Sequence, residues 1–373
     1  MALSLLSFFW SSALLHYRAL AVLLRNVAPE DPPWFVRIGG YAVDEREREF
    51  HPPAGVLRGK LYIPRDCDRP PGLLLVHGIH HLGMNEPRSK SFARALASAG
   101  VLVLAPEIPE LTDYRVVTST IGEISACARY LADMTGRTVT GVIGISFAGG
   151  LALMAAADPK WQQSIGFVVA VGAHHDLTRV VRYYAGDQIR GPEGPPYSIP
   201  PHPYGARVFL YSYLDRLFSA QDLPLARDVF RTYLHDEHRL ARSQAQELSA
   251  DGKRLMLQLL DQKDHETLRR VLMPLLTAHE DNLKSVSPRG KLARLNAQVL
   301  LIHGADDPIV PATETPWLAR EIPPYLLRQA LVSPVIRHAE IEQKPAATEY
   351  LKLVRFIAEL LALTYKEPAV KRR

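Results

Sequence analysis

Five continuous apolar runs constrain this chain more than any other feature: LLLVHG (73–78), VLVLAPEI (101–108), TVTGVIGIS (138–146), IGFVVAVGAH (165–174) and AQVLLIHG (297–304). Each is too short for a core helix and rich in branched residues, the pattern of a strand buried on both faces. Between them lie segments with helical spacing. One runs roughly from Ser89 to Ala99. A second, 117–134, places Ile121, Ile124, Ala128 and Leu131 on one face, and a third is the small-residue stretch FAGGLALMAAA (147–157). Strand–helix alternation of this kind predicts a mostly parallel sheet with helices on both faces, an α/β fold. Upstream, LRGKLYIPRD (57–66) alternates apolar and polar residues and reads as a further strand. WFVRIGGYAV, after the Pro-rich APEDPP, reads as an early one.

The alternation stops over residues 177–296, where no clear buried strand is found. A Pro/Gly-rich stretch, GPEGPPYSIPPHPYG (191–205), leads there into helical patterns. It resumes at 297, and a last amphipathic helix is expected from about Thr348 to Leu363. The predicted organisation is therefore an α/β core in two parts, 27–176 and 297–373, interrupted by a helical cap at 177–296. No internal repeat is present.

With 373 residues, 47% hydrophobic and 22% charged, the chain has the composition of a globular protein with a sizeable core. That excludes a disordered, collagenous or multi-span membrane chain. The net charge of +5 is spread along the sequence, apart from Lys371-Arg372-Arg373 at the end, without the dense stripe or motif of a nucleic-acid binder. Such a surplus is a solvated surface, with weak attraction to anionic membranes as a secondary reading. The two cysteines, Cys67 and Cys127, cannot form a disulfide framework and read as isolated thiols.

Residues 1–26 are strongly apolar. The basic start of a signal peptide is missing, and Arg18 interrupts the run that a spanning helix would need. On a helix, Ser4, Ser7, Ser11, Arg18 and Arg25 form one narrow stripe, with Leu6, Phe9, Ala13, Leu20 and Leu24 opposite and Leu5 and Leu23 beside them. This amphipathic helix is expected either to contact a membrane interface peripherally through residues 1–25 or to dock on the protein, over its core or near its substrate entrance. The expected location is accordingly cytoplasmic or peripherally membrane-associated rather than secreted.

Three strand ends carry chemistry. Gly144-Ile145-Ser146-Phe147-Ala148-Gly149 joins a buried strand to a small-residue helix, the sharp turn that lifts a nucleophilic hydroxyl above a sheet. Acyl chemistry also needs two N–H donors for a developing oxyanion. The residue after His77-Gly78 and the residue after the serine, Ile79 and Phe147, are the natural pair. Third, HGADDPIVP (303–311) offers a carboxylate that can orient a histidine, and His338 lies between the next strand and the final helix.

These motifs resemble the α/β-hydrolase superfamily, nearest its esterase, dienelactone-hydrolase-like and peptidase branches. The resemblance covers about residues 55–176 and 297–365. It implies the chain order nucleophile, acid, histidine, here Ser146, Asp307, His338. HGADDPIVP is similar to the family's HGxxDxxVP, which puts the acid on Asp307 rather than Asp306. Ala148 stands where the family usually has glycine, and His338 lacks the common Gly-His context. Asp306 and Asp176 are the spare acids.

His80, His81, His174 and His175 sit at strand ends and are candidate pocket residues. Paired histidines raise the question of metal, but no acidic or cysteine partner has ligand spacing, so neither metal nor cofactor is expected. Tyr183, Tyr184, Tyr197, Tyr204, Tyr211 and Tyr213 either shape an apolar pocket or pack the core. The resulting expectation is a serine hydrolase of a carboxylic ester with an apolar, bulky or lipid-like acyl group. The alternatives are acyl transfer or peptide cleavage with the same residues, or a hydrolase scaffold used for binding. Oligomeric state and natural substrate stay open.

Overall fold

A computed structural model describes residues 2–52, 55–161, 163–261, 265–337, 340–341 and 346–366. Helix α1 spans Ala2–Val27, followed by strands β1 (Val43–Phe50), β2 (Leu57–Pro64) and β3 (Gly72–Val76). Then come α2 (Pro87–Ser98), β4 (Leu102–Pro106), α3 (Pro109–Thr112), α4 (Ser119–Met134), β5 (Thr140–Ile145), α5 (Phe147–Ala157) and β6 (Ile165–Val171). Between β6 and the next sheet strand run α6 (Leu177–Gly186), a hairpin of β7 (Gln188–Ile189) and β8 (Tyr197–Ser198), α7 (Pro203–Tyr211), α8 (Leu223–Leu234), α9 (His238–Gln244), α10 (Ala250–Leu260), α11 (His265–Ala278) and α12 (Glu280–Ser285). The core resumes with β9 (Gln298–Gly304), α13 (Glu314–Glu321) and β10 (Leu327–Ser333). It ends with the short β11 (Ile336–Arg337) and β12 (Glu340–Ile341), then α14 (Ala347–Tyr365).

The eight-stranded sheet has the order β1-β2-β4-β3-β5-β6-β9-β10. Its β1 and β2 edge is antiparallel and every pairing from β4 to β10 is parallel. Because side chains alternate along a strand, each apolar run feeds two cores. Leu74, Val76, Val142, Val168, Ala170, Val299 and Leu301 pack toward α4, α5 and the inserted helices. Leu73, Leu75, Ile143, Val169, Leu300 and Ile302 pack on the other face, against α1, α2 and α14. Burial on both faces is why these strands read as unbroken hydrophobic runs.

Two local expectations are corrected. Residues 34–37 form a 3-10 turn instead of a strand, and β1 starts only at Val43. The Tyr17 hydroxyl donates to the carbonyls of Phe35 and Ile38, and Arg25 donates to that of Val36, so helix α1 takes carbonyls that a strand would have used in pairing. The second correction is the face on which α1 docks. Ala19, Val22 and Leu23 are buried against α2 and α14, whereas Ala13 is exposed and Leu20 and Leu24 are half-buried. The arginine stripe thus flanks the docked face instead of facing water. Arg18 lies over the Tyr365 ring at 5.5 Å, and burial lowers the Arg25 pKa from its ordinary value. Among the described residues, no helix is long and apolar enough to cross a membrane. Both cysteines are free.

Candidate active site

The turn from β5 to α5 is strained at one residue. Ser146 has φ 57° and ψ −129°, a conformation non-glycine residues rarely adopt and that costs on the order of 1–3 kcal/mol. The surroundings hold it there. Its N–H donates to the Val171 carbonyl at 2.7 Å. A Cβ on Gly144 would lie 2.5 Å from the Ala148 carbonyl oxygen, and one on Gly149 would lie 2.8 Å from the Ala173 Cβ. Strand and helix therefore touch backbone to backbone. The close approach to β6 falls on Gly149, which is why Ala148 can carry a methyl group. Phe147 opens α5, so its N–H has no acceptor within the helix and sits at the positive end of the helix dipole.

The β3 turn lies directly beside this serine. A Cβ on Gly78 would sit 3.5 Å from the Ser146 Cβ. His77 is buried and its Nε2 accepts the Ile108 N–H at 3.1 Å. Its hydrogen must then be on Nδ1, which donates to the Gly78 carbonyl at 2.7 Å. Burial pushes this imidazole down to about 4. In a trans peptide N–H and C=O point oppositely, so gripping the Gly78 carbonyl also aims the Ile79 N–H away from the ring. The Ile79 carbonyl is held from the inserted helices by the Tyr204 hydroxyl at 2.9 Å.

Asp307 follows β9 and is 1% exposed, whereas Asp306 is exposed. Its Oδ1 accepts the N–H groups of Ile309 (2.8 Å) and Val310 (3.0 Å). Oδ2 lies 3.5 Å from His303 Nε2. His303 is itself occupied by the Val310 carbonyl and the Thr315 hydroxyl. His338 lies outside the described residues. The structure brings Ser146, Ile79 and Phe147 to one cavity of about 150 Å³ and places Asp307 past the end of β9, which β6 separates from β5, between the cavity-lining Ile302 and Ile309 in sequence.

A model of the alpha/beta hydrolase fold family matches residues 71–332. The chain belongs to the α/β-hydrolase fold family. Solved structures of that fold are similar to it at low identity. One is the uncomplexed acylaminoacyl peptidase of Pyrococcus horikoshii, with a TM-score of 0.52, 14% identity and coverage of 91% of this chain and 45% of that one. Another is an acylaminoacyl peptidase in complex with Z-Gly-Gly-Phe-chloromethyl ketone, with 0.50, 12%, 87% and 42%. This chain thus spans under half the length of those peptidases, and at such identities the likeness is one of fold. A search of curated proteins returned no match.

Several residues noted in the sequence hold the hydrolase fold together. Asp176 caps α6 by accepting the Thr178 N–H and pairs with Arg289 at 2.8 Å. Glu314, fully buried, accepts the N–H groups of His175 and Asp176 and pairs with Arg179 at 2.6 Å. His175 also bonds Glu321, and His174 bonds the Val286 carbonyl, with burial pushing it down to about 4. His80 lines the cavity and stacks on His81, which stacks in turn on His235. Among the described residues no group of His, Cys, Asp or Glu could hold a metal ion. Of the six tyrosines, only Tyr204 lines the cavity. Tyr183 donates to Pro308, Tyr211 to Asp113, and Tyr213 stacks on His279.

Sequence reasoning offered α1 as a helix packed near the site but missed α14 as a cavity wall, and missed His77 as the brace of the Ile79 turn. The HG dipeptide was the available signal for His77, since a histidine ending a buried strand must find partners for both ring nitrogens.

Proposed function

We propose that this chain is a serine hydrolase that cleaves a carboxylic ester with an apolar acyl group. The observation that carries the reading is Ser146, held in a strained turn and facing an apolar cavity that the Ile79 and Phe147 positions also line. In this reading the hydroxyl attacks the ester carbonyl. His338 takes its proton and later delivers it to the leaving alcohol, and Asp307 orients the imidazole and stabilises its charged form. The Ile79 and Phe147 N–H groups receive the oxyanion, and water then releases the acyl group.

The test is turnover of p-nitrophenyl esters by Ser146→Ala, His338→Ala and Asp307→Asn. Ser146→Ala and His338→Ala are expected to lose on the order of 10³-fold or more in kcat, and Asp307→Asn a comparable amount. Full activity in His338→Ala would remove that residue from the mechanism. Turnover of peptide amides but not esters would move the assignment to a peptidase.

A further inference from the structure

The cavity beside Ser146 extends down one face of the sheet. Ile145, Val169, Val171 and Ile302 contribute its sheet wall. By strand alternation and register these residues face the core shared with α1, α2 and α14, not the one under the inserted helices. Ile145, Val171 and Ile302 are paired neighbours in the layer just below Ser146, and Val169 lies one layer, about 7 Å, deeper. The opposite wall is α14, from Leu353 to Leu360, two turns or about 10 Å of helix. Leu23 of α1 closes the side. Both α1 and α14 lie outside the segment that matches the family model.

Charge is confined to one group. Glu86 accepts the Ser89 N–H, and Arg88 Nε pairs with Glu86 at 2.6 Å, so the two offset each other. The deep walls are hydrocarbon. An apolar cavity of about 150 Å³ takes a ligand of roughly six carbon groups.

We propose that this space is an acyl-chain channel for a neutral ester of medium chain length, closed by Leu23 and ended by Leu360. The proposal rests on Ser146 being the nucleophile. It also assigns α1 a function in specificity, as a wall of the substrate site.

The experiment measures labelling rates of the full chain with alkyl fluorophosphonates bearing ethyl, octyl and hexadecyl groups, for wild type, Leu360→Phe and Leu23→Trp. Wild type is expected to react at least tenfold faster with the octyl probe than with the ethyl or hexadecyl probe. Either variant should lose at least fivefold on the octyl probe while staying within twofold of wild type on the ethyl probe. An octyl-to-ethyl ratio near one in wild type, or one that neither variant moves, overturns the channel while leaving Ser146 as nucleophile. Absence of labelling by every probe overturns the nucleophile itself.

Discussion

At the residue scale, buried histidines act here as neutral braces. His77 is pushed from an ordinary value near 6.5 down to about 4, and His174 likewise. The folded state resists protonating them and the unfolded chain does not. Their contribution is therefore intact above about pH 6.5 and is lost as pH falls toward 4, up to about 3 kcal/mol each. Urea unfolding of wild type at pH 7 and pH 5 should show that loss. A pH-independent stability over this interval would contradict it. Replacing His77 by Phe frees the Gly78 carbonyl and leaves the Ile108 N–H unpaired. If the ring aims the Ile79 N–H, kcat for ester turnover should fall about 10²-fold, near the loss of one oxyanion donor, with KM little changed. Glu123 shows the opposite sign. Burial, with Glu110 beside it, raises its carboxyl to about 7, so the folded protein keeps a proton that the unfolded chain releases. That costs stability as pH rises through 4.5 to 7. Glu123→Gln should raise the Tm at pH 8 and leave it nearly unchanged at pH 4.5, as read by thermal melts.

At the element scale, the junction between β6, α6 and α13 is fixed by one buried carboxylate. Glu314 satisfies two backbone donors and Arg179 at once. Glu314→Ala strands those partners and should cost about 3–5 kcal/mol in urea unfolding, whereas an exposed control such as Asp251→Ala should cost under about 1 kcal/mol. Helix α1 shows what the sequence made legible and what it did not. Its helical periodicity was readable, because apolar spacing is a local property. Its docked face was not: Arg18 and Arg25 lie on the polar stripe of the helix, but the Tyr365 ring and the Val36 carbonyl receive them. The same tertiary demand turned residues 34–37 away from a strand. Strands β3, β5, β6 and β9 were readable because burial on both faces leaves an unbroken hydrophobic run. The Ser146 turn was readable from the small residues Gly144 and Ala148 on either side of it, whereas the second close approach, at Gly149, emerges only in the structure.

At the scale of the whole molecule, the sheet divides the labour. One face carries the inserted helices, which reach the turn beside Ser146 through Tyr204. The other face, under α1 and α14, carries the cavity. This division could not be read from the sequence, because the cavity walls come from segments hundreds of residues apart. The proposed function stands on the strained Ser146 acting as nucleophile. The most direct measurement is intact-protein mass after reaction with a stoichiometric fluorophosphonate, followed by peptide mapping. One adduct per chain is expected on the peptide containing Ser146, and none on folded Ser146→Ala. An adduct on another residue, or no adduct on folded wild-type protein, would contradict it.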